Sequence, residues 1–147
     1  NEAGQISDFT NVKNGIFRAN LHVHTLYSDG KMSVSKLLNQ SARYGAKLNK
    51  LFGEKFTIII SDHDTFKGCQ EAIRTIAKDP MKYRNIRFLA GGEISSVYRN
   101  QSILSKPVNF DFMAYCVNPF DENLNKFMEK IKESKNGELS TFINNSS

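Results

Sequence analysis

Residues 21–30 read Leu21-His22-Val23-His24-Thr25-Leu26-Tyr27-Ser28-Asp29-Gly30, two histidines one residue apart with an aspartate five positions later. On an extended strand successive side chains alternate faces, so His22 and His24 point to one side and Val23 to the other. Two imidazoles on one side can hold one metal ion. Neutral imidazole suits Zn, Mn, Fe or Ni, and the Ser28-Asp29-Gly30 turn can return a carboxylate toward the same mouth. A His-X-His pair also occurs by chance on half-buried strands, each ring satisfied by a backbone group. The third histidine weighs against chance: the chain has only 3 His, and His63 stands in Ser61-Asp62-His63-Asp64, directly after the apolar run Phe56 to Ile60.

Working outward, the same arrangement repeats. A first strand is expected over Ile16 to His24. Ser33 then caps a helix in which Val34, Leu37, Leu38, Ser41 and Tyr44 recur at helical spacing to about Ala46. Lys47 to Lys55, with Gly53, reads as a connection. Phe56 to Ile60 is the continuous β-branched run of a strand buried on both faces. Thr65 can cap a second helix packing through Phe66, Cys69, Ala72, Ile73, Ile76 and Ala77, which ends before Pro80. Ile86 to Ala90 is a third strand, followed by Gly91-Gly92-Glu93, where small residues permit a close backbone approach. Val108 to Val117 reads as a fourth strand carrying Asp111. Asp121 caps a helix with Leu124, Phe127, Met128 and Ile131 on one face. The polar residues 1–13 form a lead-in, and the polar segment Lys135 to Ser147 is expected to be loose.

Alternating strands and helices imply an α/β fold with a parallel sheet, in which ligands gather beyond the carboxyl ends of the strands. His22, His24, His63 and Glu93 all fall near predicted strand ends.

Composition sets the outer bounds. The chain has 147 residues, 39% hydrophobic and 24% charged, enough for one domain with a core over 1–147. A net charge of +5 favours anionic partners. The basic residues are scattered, without the aromatic interleaving of single-strand binders. Two cysteines, Cys69 and Cys116, exclude a disulfide framework and suit a reducing compartment. No apolar run approaches the length of a membrane span and no signal sequence is visible, so a cytoplasmic protein without membrane partners is expected.

With these motifs assembled, the chain resembles the polymerase and histidinol phosphatase (PHP) family of metal-dependent phosphoesterases. LHVHTLYSDG is similar to the family's opening His-x-His-Thr and Ser-Asp-Gly. Ser61-Asp62-His63-Asp64-Thr65, with Gly68 and Glu71-Ala72, resembles its Thr-Asp-His-Asp-Thr motif, and Gly91-Gly92-Glu93-Ile94 its Gly-x-Glu-Ile. The resemblance runs from about Phe17 to Phe120.

It implies a distorted (β/α) barrel, of which this chain would hold about four parallel-strand units and lack the later His and Asp-x-His ligands. It also implies two or three divalent ions (Mn, Fe or Zn) on His22, His24, Asp29, His63 and Glu93, with Glu93 bridging. Asp111 stands where the family has a histidine. Asp62 and Asp64 would orient ligands, and His63 and Asp64 are candidates for proton transfer. Arg18, Lys67, Arg87 and Arg99 are candidates for binding the phosphate of a small phosphorylated substrate, with nucleic acid also possible. The competing readings are an amidohydrolase-like barrel, which also opens with His-x-His, and an accessory module that binds metal or a DNA-polymerase-type partner with little hydrolysis.

Overall fold

The computed structural model describes residues 16–98 and 106–145. The lead-in 1–13 and Arg99 lie outside them. Four strands and three helices follow in the order β1 (Ala19–Val23), α1 (Val34–Phe52), β2 (Phe56–Ile60), α2 (Lys67–Lys78), β3 (Ile86–Tyr98), β4 (Val108–Tyr115) and α3 (Glu122–Asn145). They form one four-stranded sheet in the order β1-β2-β3-β4.

The first half of the chain behaves as its pattern dictates. β1 pairs parallel with β2 and β2 with β3, in register from Phe56↔Ile86 to Ile60↔Ala90. β-Branched side chains at Ile58 and Ile60 fill the face that α1 and α2 cover, with Val23, Ile86 and Ala90 beside them and Leu37, Leu38, Leu48, Cys69 and Ala72 above. Each large aliphatic side chain removed from water there contributes about 1.5–3 kcal/mol at most. The Ser33 hydroxyl accepts the Lys36 N–H at 3.2 Å and so caps α1.

Two boundaries differ from the sequence expectation. β1 starts at Ala19 rather than Ile16, and α1 continues six residues beyond Ala46, to Phe52. The segment after Ala46 is rich in Lys and Leu, good helix formers. Gly53, with φ of 68°, is what stops the helix.

The second half departs further. β3 is 13 residues long, and β4 pairs with it antiparallel, from Gly91↔Tyr115 to Tyr98↔Val108. The expectation of about four parallel βα units is therefore corrected to three parallel strands plus one antiparallel strand, with no described helix between β3 and β4. A parallel return needs a crossover helix, and no helical pattern exists between Gly91 and Val108. β3 pairs with β2 up to Ala90 and with β4 from Gly91 onward. A Cβ on Gly91 would stand 2.8 Å from the Ala114 carbonyl oxygen, which explains the small residue at this junction. The segment from Lys135, expected to be loose, continues α3 to Asn145. Polar composition alone does not argue against a helix.

Candidate metal centre

The carboxyl ends of the three parallel strands carry the candidate ligands. His22 is the penultimate residue of β1, and His24 follows its end. His63 follows β2, and Glu93 lies in β3 just past the β2–β3 ladder, bridged in parallel to His63.

Two loops are locked together beneath them. Asp62, 0% exposed, accepts three hydrogen bonds, from the Thr25 N–H at 2.6 Å, the Thr25 hydroxyl at 2.7 Å and the Ser28 hydroxyl at 2.8 Å. A buried carboxylate is tolerated only when its oxygens are satisfied in this way. Gly30 closes the first loop by donating its N–H to the Thr25 carbonyl at 3.0 Å. A Cβ on Gly30 would come within 2.0 Å of the His24 carbonyl oxygen, so this turn requires glycine.

Above this floor three donors converge. His22 Nε2 is 2.8 Å from His24 Nε2 and 2.9 Å from Glu93 Oε2, and His24 Nε2 is 2.8 Å from the same oxygen. On its other side, His24 Nδ1 donates to Asp29 Oδ1 at 2.5 Å, which leaves the lone pair of Nε2 facing His22 and Glu93. That hydrogen bond is the main cause that holds the Asp29 carboxyl below its ordinary range, against the opposing effect of partial burial. His63 Nε2 is 3.4 Å from Asp29 Oδ2 and 3.8 Å from Glu93 Oε2, with its ring edge-on to His24 at 4.5 Å. Its Nδ1 is buried without a hydrogen-bond partner among the described residues.

These donor atoms fit a metal. A lone pair, a carboxylate oxygen and a second imidazole within 2.9 Å of one another would be satisfied together by one cation. Bonds of about 2.0–2.1 Å at right angles give donor separations of about 2.9 Å, close to the edges of this triangle. Three overlapping sets could hold ions: His22, His24 and Glu93; His24, Asp29 and His63; and His63, Glu93 and Asp111. Asp111 is thus brought to the cluster from β4, where its side chain is exposed.

Other sequence candidates fall elsewhere. Arg18 precedes β1 at the amino end of the sheet, paired with Glu54 at 2.6 Å and stacked on Phe52, so it does not reach the cluster. Arg87, in the first turn of β3, is exposed at the same end. Lys67 opens α2 and lines a groove of about 390 Å³ with Tyr27, Gln70, Glu71 and Arg74. Tyr27, whose hydroxyl donates to Glu71 at 2.7 Å, carries a pKa raised chiefly by that bond.

Asp64, grouped with His63 as a proton-transfer candidate, is 6% exposed and its Oδ1 accepts the Ser95 N–H at 2.8 Å. Its own N–H donates to the Glu93 carbonyl at 3.0 Å, so it braces β3 on both sides of Ile94, immediately after Glu93. Its φ of 53° is one that aspartate tolerates better than most residues. Lys135 of α3, within 3.3 Å of the Ser95 hydroxyl, was not singled out by the sequence. Its spacing of seven residues from the buried Met128 places both on one helix face, and that was the available signal.

No family profile and no curated protein matches the chain in sequence. Among solved structures it is similar in fold to an amidohydrolase from Chromobacterium violaceum, solved with bound sulfate and no metal, at a TM-score of 0.54 and 21% identity. The match covers 80% of this chain and 34% of that one, so the chain spans about a third of that protein's length. No helix among the described residues is long and apolar enough to cross a membrane.

Proposed function

We propose that this chain is part of a PHP-type hydrolase that cleaves small phosphate esters with two or three divalent ions, Mn, Fe or Zn. The observation that carries this reading is the convergence of His22 Nε2, His24 Nε2 and Glu93 Oε2 within 2.9 Å, in a sequence context of His-x-His-Thr, Ser-Asp-Gly and Asp-His-Asp-Thr.

His22, His24, Asp29, His63, Glu93 and Asp111 would hold the ions, Glu93 facing more than one donor set. When bound, such ions would lower the pKa of a coordinated water to about 7 and offset charge on the phosphate oxygens. The chain's own residues do the rest. Asp29 fixes the His24 tautomer, so that Nε2 presents a lone pair. Asp62 fixes the loop that carries Asp29. His63, 27% exposed, is our candidate for passing a proton toward the leaving alkoxide, while Asp64 holds the Glu93 carbonyl and the Ser95 N–H.

A second reading, hydrolysis of C–N bonds, is favoured by the name of the structural neighbour. The Ser-Asp-Gly and Asp-His-Asp-Thr motifs favour phosphate. Metal-loaded protein is expected to release 4-nitrophenol from 4-nitrophenyl phosphate and to leave 4-nitroacetanilide intact, with Glu93→Ala abolishing turnover. The reverse preference would establish the amidohydrolase reading. Metal binding with neither activity would favour the accessory reading, a module that binds metal or a DNA-polymerase-type partner with little hydrolysis.

A further inference from the structure

We infer that Lys135 is a specificity residue of this site, and that its ammonium selects substrates bearing a second anionic group away from the scissile bond. The inference rests on the hydrolase reading above.

Lys135 reaches from α3 to the wall of the metal cluster. Its Nζ lies 3.3 Å from the Ser95 hydroxyl and 4.0 Å from Asp64 Oδ2. Ser95 follows Glu93 by two positions on β3, so the two side chains share a sheet face about 7 Å apart along the strand. Directly across the ladder from Ser95 is Asp111, itself grouped with His63 and Glu93 as a candidate ligand. The ammonium therefore stands about one residue pair beyond Glu93, level with Asp111.

The ammonium is held without being used up. Asp64 is buried and already has one oxygen committed to the Ser95 N–H, so its other oxygen faces Lys135 as the balancing charge. An ammonium has three donors; the Ser95 hydroxyl takes one at 3.3 Å, and Asp64 Oδ2 at 4.0 Å balances the charge from beyond hydrogen-bond distance. With the side chain 64% exposed, the remaining donors are open to solvent. Arg18 and Arg87 sit at the opposite end of the sheet and cannot serve the same region. A substrate whose reacting phosphate lies on the ions could place a second phosphate or carboxylate against Lys135 if about 7 Å separates the two groups.

The test is calorimetric binding to the metal-loaded full chain of two non-hydrolysable ligands, pentane-1,5-bisphosphonate and pentylphosphonate. Wild-type protein should bind the bisphosphonate about tenfold or more tightly than the monophosphonate, as a charge-assisted hydrogen bond provides. Lys135→Met should erase that preference while leaving the pentylphosphonate affinity and the thermal midpoint unchanged. Lys135→Arg should restore most of it. Equal affinities in the wild type, or a preference that survives Lys135→Met, would overturn the assignment while leaving the hydrolase reading intact. An equal loss of both ligands in Lys135→Met would overturn the assignment by making the residue merely structural. Failure of the wild type to bind pentylphosphonate at all would overturn both.

Discussion

The loop after β1 and the hairpin of β3 and β4 both deliver candidate ligands, but by opposite means. Asp29 rides on a loop whose floor is a buried carboxylate with three hydrogen bonds, against a core that is almost fully enclosed. Asp111 rides on an edge strand whose outward apolar residues stay in water, Phe112 being 57% exposed. The first region is rigid by construction. The second gains its position mainly from one ladder of backbone pairs, so ligand placement in this fold depends on the parallel half.

The sharpest way to break this contrast is to remove the floor. Asp62→Ala leaves the Thr25 N–H and two hydroxyls without their acceptor and should cost about 3–5 kcal/mol in urea unfolding. Asp111→Ala should stay within about 0.5 kcal/mol. Similar losses in the two variants would remove the distinction. The packing version is milder: Ile60→Ala should cost about 2–5 kcal/mol through the cavity it leaves, and Phe112→Ala under about 1.

Sequence reasoning was strongest in the same half. The run Phe56 to Ile60 coincides with β2, because continuous β-branching has few other structural outcomes. The three histidines and Glu93 were placed together from strand ends alone. The direction of β4 was not legible, since period-2 patterning is the same for parallel and antiparallel strands. Arg18 shows a positional rule legible in the sequence: a residue preceding a parallel strand lies at the end of the sheet away from the ligands, where it pairs with Glu54. The spacing from Met128 puts Lys135 on the packing face of α3, but where that face docks is encoded by no local pattern.

The loop itself offers a finer probe. Asp29 is exposed, so Asp29→Ala should leave stability nearly unchanged yet lower Mn or Zn affinity about 10–100-fold, by removing a proposed ligand and freeing the His24 ring. Unaltered affinity would show that Asp29 neither holds an ion nor presents His24 Nε2.

The smallest effect concerns the two thiols. Burial pushes Cys69 up to about 12 from an ordinary 9.0, while Cys116 is exposed. Iodoacetamide at pH 8 should therefore label Cys116 quickly and Cys69 only on unfolding. Because the folded value is raised, the contribution of Cys69 is complete below about pH 9 and is lost as pH rises toward 12. Cys69→Ala should flatten that alkaline slope, and a slope unaffected by the substitution would assign it to other groups.

The most direct test of the metal centre is titration of chelator-stripped protein with Mn and with Zn, followed by calorimetry and thermal unfolding. One or more ions should bind per chain, and at a hundredfold excess over Kd the folded state should gain about 2.7 kcal/mol. Glu93→Gln should abolish the tightest of these sites. A wild-type chain that is folded yet takes up neither ion, with no shift in its thermal midpoint, would contradict the account.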